Sequence, residues 1–146
     1  MWADWKYEDA SDYLVGSIGR GWTPVMPLSK NVFDGLGDDC SGDEQLLIAV
    51  EALGQLEYWK MSPHSELVSG GAEAYCLAEP GRQYMVYAPS GGTVQLNLGG
   101  APGTFEVKWL DPAAGGYSNQ TEIQGGAQRS VNAPSSKDWV AFAILK

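Results

Sequence analysis

Apolar and polar residues alternate with period 2 in two stretches of the chain. Val94, Leu96 and Leu98 oppose Thr93, Gln95 and Asn97, and Phe105, Val107 and Trp109 oppose Thr104, Glu106 and Lys108. Successive side chains of a strand point to opposite sides, so each stretch predicts a strand with one wet face and one buried face. Trp139 to Leu145 is apolar at both parities, which predicts a central strand covered on both sides. Runs at 72–78, 83–88, 120–124 and 128–133 bring the candidate strands to seven. The connections Pro89-Ser90-Gly91-Gly92, Gly99 to Gly103, Asp111-Pro112 with Gly115-Gly116, and Asn132 to Ser136 hold the residues that tight turns require. Residues 69–146 therefore predict a mainly β fold, an antiparallel β-sandwich.

The chain upstream reads differently. Ser41 followed by Glu44 forms a capping box, in which each side chain satisfies an orphan amide of a first helical turn. The pattern predicts a helix over about 42–58. Leu46, Leu47, Ile48, Ala49, Val50, Ala52, Leu53 and Leu56 leave it little polar surface, so it is expected to be covered on more than one side, between the strands and a neighbouring body. Residues 1–40 carry Trp2, Trp5, Tyr7, Tyr13 and Trp22 among Gly and Pro without sustained periodicity, apart from a short helix expected at Asp12 to Ile18. The change in composition near Ser69-Gly70-Gly71 divides the chain into 1–68 and 69–146.

Size and charge narrow the function classes. A domain of 146 residues buries roughly 68 to 70% of its unfolded surface and needs no staple. A net charge of −9 with scattered basic residues argues against nucleic acid and against an anionic membrane. No apolar run is long enough for a transmembrane helix, and the N-terminus lacks the basic-then-apolar order of a signal peptide. Cys40 and Cys76 fit neither a zinc pattern nor a C-x-x-C redox site, which leaves free thiols or one disulfide.

Few residues invite chemistry. Asp34, Asp38, Asp39, Asp43 and Glu44 form the densest acidic cluster, and the four aspartates are the candidate metal ligands, with calcium the matching ion because all their donors are oxygens. The spacing is not that of an EF-hand, and negative charge is favoured near a helix N-terminus in any case. No other cofactor is implied. His64 is the single histidine, and its place after Pro63 suits a surface or capping role better than catalysis. Nucleotide and metalloprotease motifs do not occur. Tyr117, Tyr84, Tyr87 and Trp109 are the candidate ligand-contacting aromatics. Tyr117 follows Gly115-Gly116 in a loop and is the best of them, Tyr84 and Tyr87 point to opposite faces, and Trp109 shares a face with Phe105 and Val107. Trp139 opens the most apolar strand and reads as core. Asn119-Gln120-Thr121 fits the N-glycosylation acceptor pattern.

From Trp59 onward the motif order resembles a known family. The carrying segments are residues 59–64, Leu67-Val68, 74–78, Pro80-Gly81-Arg82-Gln83-Tyr84-Met85-Val86-Tyr87, Pro102-Gly103-Thr104-Phe105-Glu106-Val107-Lys108-Trp109 and Asp138-Trp139-Val140. They resemble the family described as the putative collagen-binding domain of a collagenase, which is similar to the C-terminal domain following a (β/α)8 barrel in apiosidase-like glycoside hydrolases. The resemblance implies that residues 1–68 are the end of such a barrel and that its catalytic carboxylates lie outside this chain, so no catalytic residue is assigned. It implies an extracellular or periplasmic parent protein, the N-terminal catalytic barrel as partner, and polysaccharide or collagen as ligand. The expectation is a non-catalytic accessory module; a stand-alone collagen-binding or adhesion module and a small glycosidase with its own site are the alternatives.

Overall fold

The computed structural model describes residues 43–146 except residue 72, with side chains described from Ile48 onward, that of Asn119 excepted. It is mainly β. A helix, α1 (Asp43–Leu53), is followed by β1 (Ser62–Pro63), β2 (Val68–Ser69), β3 (Tyr75–Glu79), β4 (Gln83–Ala88), β5 (Thr93–Asn97), β6 (Thr104–Leu110), β7 (Tyr117–Gln124), β8 (Gln128–Asn132) and β9 (Trp139–Leu145). The strands form a six-stranded antiparallel sheet in the order β1-β3-β4-β9-β6-β7 and a three-stranded sheet in the order β2-β5-β8.

The apolar alternation builds two interiors. Between the sheets lie Cys76, Ala78, Tyr84, Val86, Val94, Leu96, Phe105, Val107, Trp109, Val131, Trp139 and Ala141. On the other side of the large sheet, Leu77, Met85, Tyr87, Leu110, Val140 and Phe142 pack with Ala52 and Leu56 beneath the helix. β9 feeds both interiors, which is why it is apolar at both parities. It lies in the middle of the large sheet, between β4 and β6.

Three strands, β4, β6 and β9, have the bounds their patterns predict. β7 begins three residues before the expected 120, at Tyr117, because Gly115 adopts φ 72° and closes the turn from Asp111. β1 and β2, only two residues each, carry no periodic signal; they form where the chain crosses from one sheet to the other. The helix is shorter than the pattern suggests, ending at Leu53 rather than Tyr58. Gly54 costs about 1 kcal/mol in a helix interior relative to alanine, and residues 54–57 turn instead. A single 3-10 turn, Tyr58–Lys60, follows. Among the described side chains of the helix, Ala49 and Ala52 are buried against the sheet, with Leu56 of the following turn, while Val50 is 58% exposed. Its expected second cover is not found among the described residues. The aromatic segment 1–40 and the short helix expected in it lie outside the described residues.

Candidate functional site

Tyr58 and Trp59, two of the exposed large apolar residues among those described, lie in the turn that follows the helix. Gln83 opens β4 on the helix-facing side and is 6% exposed. Its Oε1 accepts from the backbone N–H of Glu57 at 3.0 Å, while its Nε2 donates to the Glu57 carbonyl at 3.2 Å and to Glu79 Oε2 at 2.9 Å. One buried amide thus holds both backbone polar groups of the residue before the 3-10 turn, fixing the turn to the sheet. That turn presents Tyr58 and Trp59, 50% and 68% exposed, with their rings edge to face at 5.4 Å. Lys60 and Glu57 pair beside them at 2.7 Å.

A second lock holds the same 54–57 turn. Lys108 Nζ donates to Gln55 Oε1, and Gln55 Nε2 donates to the Tyr117 hydroxyl. Lys108 also sits 4.8 Å over the Tyr117 ring, and Phe142 approaches that ring at 6.2 Å. Tyr117 is 45% exposed, yet its hydroxyl and ring are engaged in tying the turn after the helix to β6 and β7. Burial raises the Tyr117 hydroxyl above the ordinary tyrosine range, partly offset by the Gln55 bond.

At the crossover between the sheets, His64 Nδ1 lies 2.6 Å from Glu66 Oε1 and its Nε2 lies 3.1 Å from Ser62 Oγ. The bond to His64 holds the Glu66 carboxyl below its usual range. The order of groups is that of a serine, base and acid relay. Ser62 and Glu66 are exposed, however, so water competes for each bond, and the array braces residues 62–67 rather than shielding a nucleophile.

The other residues singled out from sequence fall in different places. Tyr84 and Trp109 are buried between the sheets, and the Tyr84 hydroxyl accepts from the Gly81 N–H at 2.7 Å. Tyr87 is buried on the opposite face, stacked at 6.5 Å on Tyr75. None of the three offers a free ring to a ligand. Trp139 is core, its Nε1 donating to Ser135 Oγ at 3.0 Å. Asp34, Asp38, Asp39 and Cys40 lie outside the described residues, and Asp43 begins the helix. Among the described residues no three His, Cys, Asp or Glu side chains converge as a metal site. Cys76 is a buried free thiol. No described helix is long and apolar enough to cross a membrane. Sequence reasoning missed Gln83, Gln55 and the exposure of Trp59; a polar residue heading an otherwise apolar strand was the one available signal for Gln83.

Two antiparallel sheets closing over a shared core, with a helix laid on the larger, define a β-sandwich domain. Residues 63–143 match the family described as "Putative collagen-binding domain of a collagenase", and the chain belongs to that family. Among solved structures, one called a glycoside hydrolase superposes with a TM-score of 0.63 at 15% identity, covering 78% of this chain and 27% of the other. A glycoside hydrolase family 5 structure from Bacteroides vulgatus superposes with a TM-score of 0.63 at 16% identity, covering 72% of this chain and 24% of the other. At these identities the likeness is one of fold. The chain spans about a quarter of each of these proteins. No curated protein matches.

Proposed function

We propose that the chain is the non-catalytic C-terminal accessory module of a glycoside-hydrolase-like protein, packed by its helix side against the catalytic barrel and contacting carbohydrate. In this reading residues 1–68 belong with the end of the barrel, residues 69–146 are the accessory domain, and the parent protein is extracellular or periplasmic. One observation carries it. Among the described residues the three most exposed large apolar side chains, Val50, Tyr58 and Trp59, all precede residue 63, where the family match begins, so they belong to the segment that leads toward the rest of the protein. The glycoside hydrolase neighbours, three quarters of whose chains lie outside the superposition, support the nature of that remainder.

The energetics fit a docking face. Covering about 150 Å² of an indole at about 25 cal/mol per Å² stabilises contact by roughly 4 kcal/mol. The turn is pinned by Gln83, so little ordering cost accompanies docking.

The test is a titration between this chain and the catalytic body encoded with it, produced as a separate polypeptide. Wild type is expected to associate, and Trp59→Ala to weaken association at least about 100-fold, given roughly 4 kcal/mol of ring burial. Failure to associate, or a Trp59→Ala chain that associates like wild type, overturns the reading. Collagen, named in the family's description, is the second ligand class, and retention on immobilised collagen would favour the adhesion alternative.

A further inference from the structure

The outward face of β5 and β8 in the three-stranded sheet carries no charged side chain. β5 contributes Thr93, Gln95 and Asn97 to it, and β8 contributes Asn132, Ser130 and Gln128 in register. All six are uncharged and polar, in a chain with 27 formal charges, 18 acidic and 9 basic. The neighbouring Arg129 lies at the opposite parity and donates through Nε to the Gln124 carbonyl at 2.6 Å. By contrast, the uncovered part of the large sheet's outer face carries Lys146 beside Glu106 and Glu122.

Solubility alone does not account for this composition. Exposed strand positions are commonly guarded by lysine and other charges, which block unwanted pairing. Asparagine is disfavoured in strands, yet Asn97 and Asn132 both occupy them. The side chains are also held in place. Thr93 Oγ1 donates to Asn132 Oδ1 at 2.8 Å, and Gln95 Nε2 donates to Ser130 Oγ at 2.8 Å. Gln128 Nε2 reaches over β5 to Ser69 Oγ at 3.2 Å, and Asn97 Oδ1 accepts from the Gly99 N–H at 2.9 Å. These bonds engage one end of the Asn97, Asn132 and Gln128 amides and leave the other end for an incoming partner.

We propose that this face is a binding surface for a neutral polysaccharide. A fixed lattice of amides and hydroxyls, about 4.8 Å apart across strands and about 6.8 Å along them, matches a ligand that is itself a ladder of hydroxyl groups. An acidic chain would be repelled by the −9 protein, and a basic one would find no carboxylate on this face. The surface lies across the sandwich from the helix, so a docked catalytic body leaves it open. The inference rests on the accessory-module reading but uses none of its docking residues.

The experiment is native affinity electrophoresis of the full chain in gels holding mixed-linkage β-glucan, arabinogalactan or dextran, with polygalacturonate and collagen as charged and protein comparators. Wild type is retarded by at least one neutral polysaccharide, and added salt leaves the retardation unchanged. The pair Gln95→Ala with Ser130→Ala weakens it by roughly tenfold or more, while Trp59→Ala and Tyr117→Ala do not. Ser130→Glu, which places one charge on the face, acts in the same direction and serves if the pair misfolds. No retardation by any neutral polysaccharide, equal retardation of the Gln95 and Ser130 variants, or loss only in the aromatic variants overturns the proposal. Loss of barrel association in Trp59→Ala concerns the docking face and leaves this result independent.

Discussion

Replacing Gln83 by methionine keeps the length of the side chain and removes its three hydrogen bonds. Two of them join the Glu57 backbone and are worth about 1 kcal/mol each, and the third, to the Glu79 carboxylate, is worth about 1.5 kcal/mol or more. Partial re-solvation of Glu57 at the surface returns some of this, so Gln83→Met is expected to lose about 3 kcal/mol. For a domain of this size that corresponds to a fall of roughly 10 °C in the melting midpoint. The loss is local as well as global: freed from Gln83, residues 54–60 open, and trypsin reaches Lys60 in the native state much sooner. Thermal melting by circular dichroism and timed proteolysis with mass analysis measure the two effects. A midpoint within about 2 °C of wild type, with Lys60 cut no faster, would refute the role given to this amide.

Gly91 adopts φ 59°, and a Cβ there would lie 2.0 Å from the Ser135 carbonyl oxygen and 2.9 Å from that of Lys137, so Gly91→Ala must displace the loop before β9. It is expected to cost more than about 2 kcal/mol in urea unfolding, whereas Gly81→Ala, with φ 89° but open space, costs only about 1 kcal/mol of backbone strain. Equal losses at the two sites would refute the steric account. Burial pushes the Asp111 carboxyl up, but Lys137 and the Ala113 and Ala114 N–H groups outweigh it and leave the group below its usual range. A carboxyl depressed on folding stabilises above its unfolded pKa of about 3.9 and loses that contribution as pH falls through the folded value. Asp111→Asn should therefore be less stable than wild type at neutral pH and equal to it in strong acid; a difference unchanged by pH would contradict the ion pair. Desolvation, with the Glu66 charge second, pushes the Cys76 thiol up to about 12, so a disulfide reagent near pH 8 should label it only in denaturant, and prompt native labelling would show a more open β3.

The sequence by itself determined seven of the nine strands, β3 and β7 with shifted bounds, and which side of β5 and β6 is buried. Period-2 alternation in β5 and β6, and apolarity at both parities in β9, are local consequences of facing one core or two, so they can be read without knowing any partner. The same parity placed Tyr84 and Tyr87 on opposite faces, where they are found. The tertiary structure alone decided the features that depend on residues far apart in the chain. Gln83 meets Glu57 across 26 positions, and Lys108 meets Gln55 across 53, so neither lock has a local pattern. Tyr117 looked like a free loop aromatic because nothing nearby in sequence reveals that Lys108, Gln55 and Phe142 surround it. The helix ended early for a related reason: its apolar composition continued to Leu56, but Gly54 weakened it and a distant amide claimed the backbone that would have extended it. Polar side chains gain their partners only when topology brings strands together, whereas apolar ones need only a dry side, and that asymmetry separates what was legible from what was not.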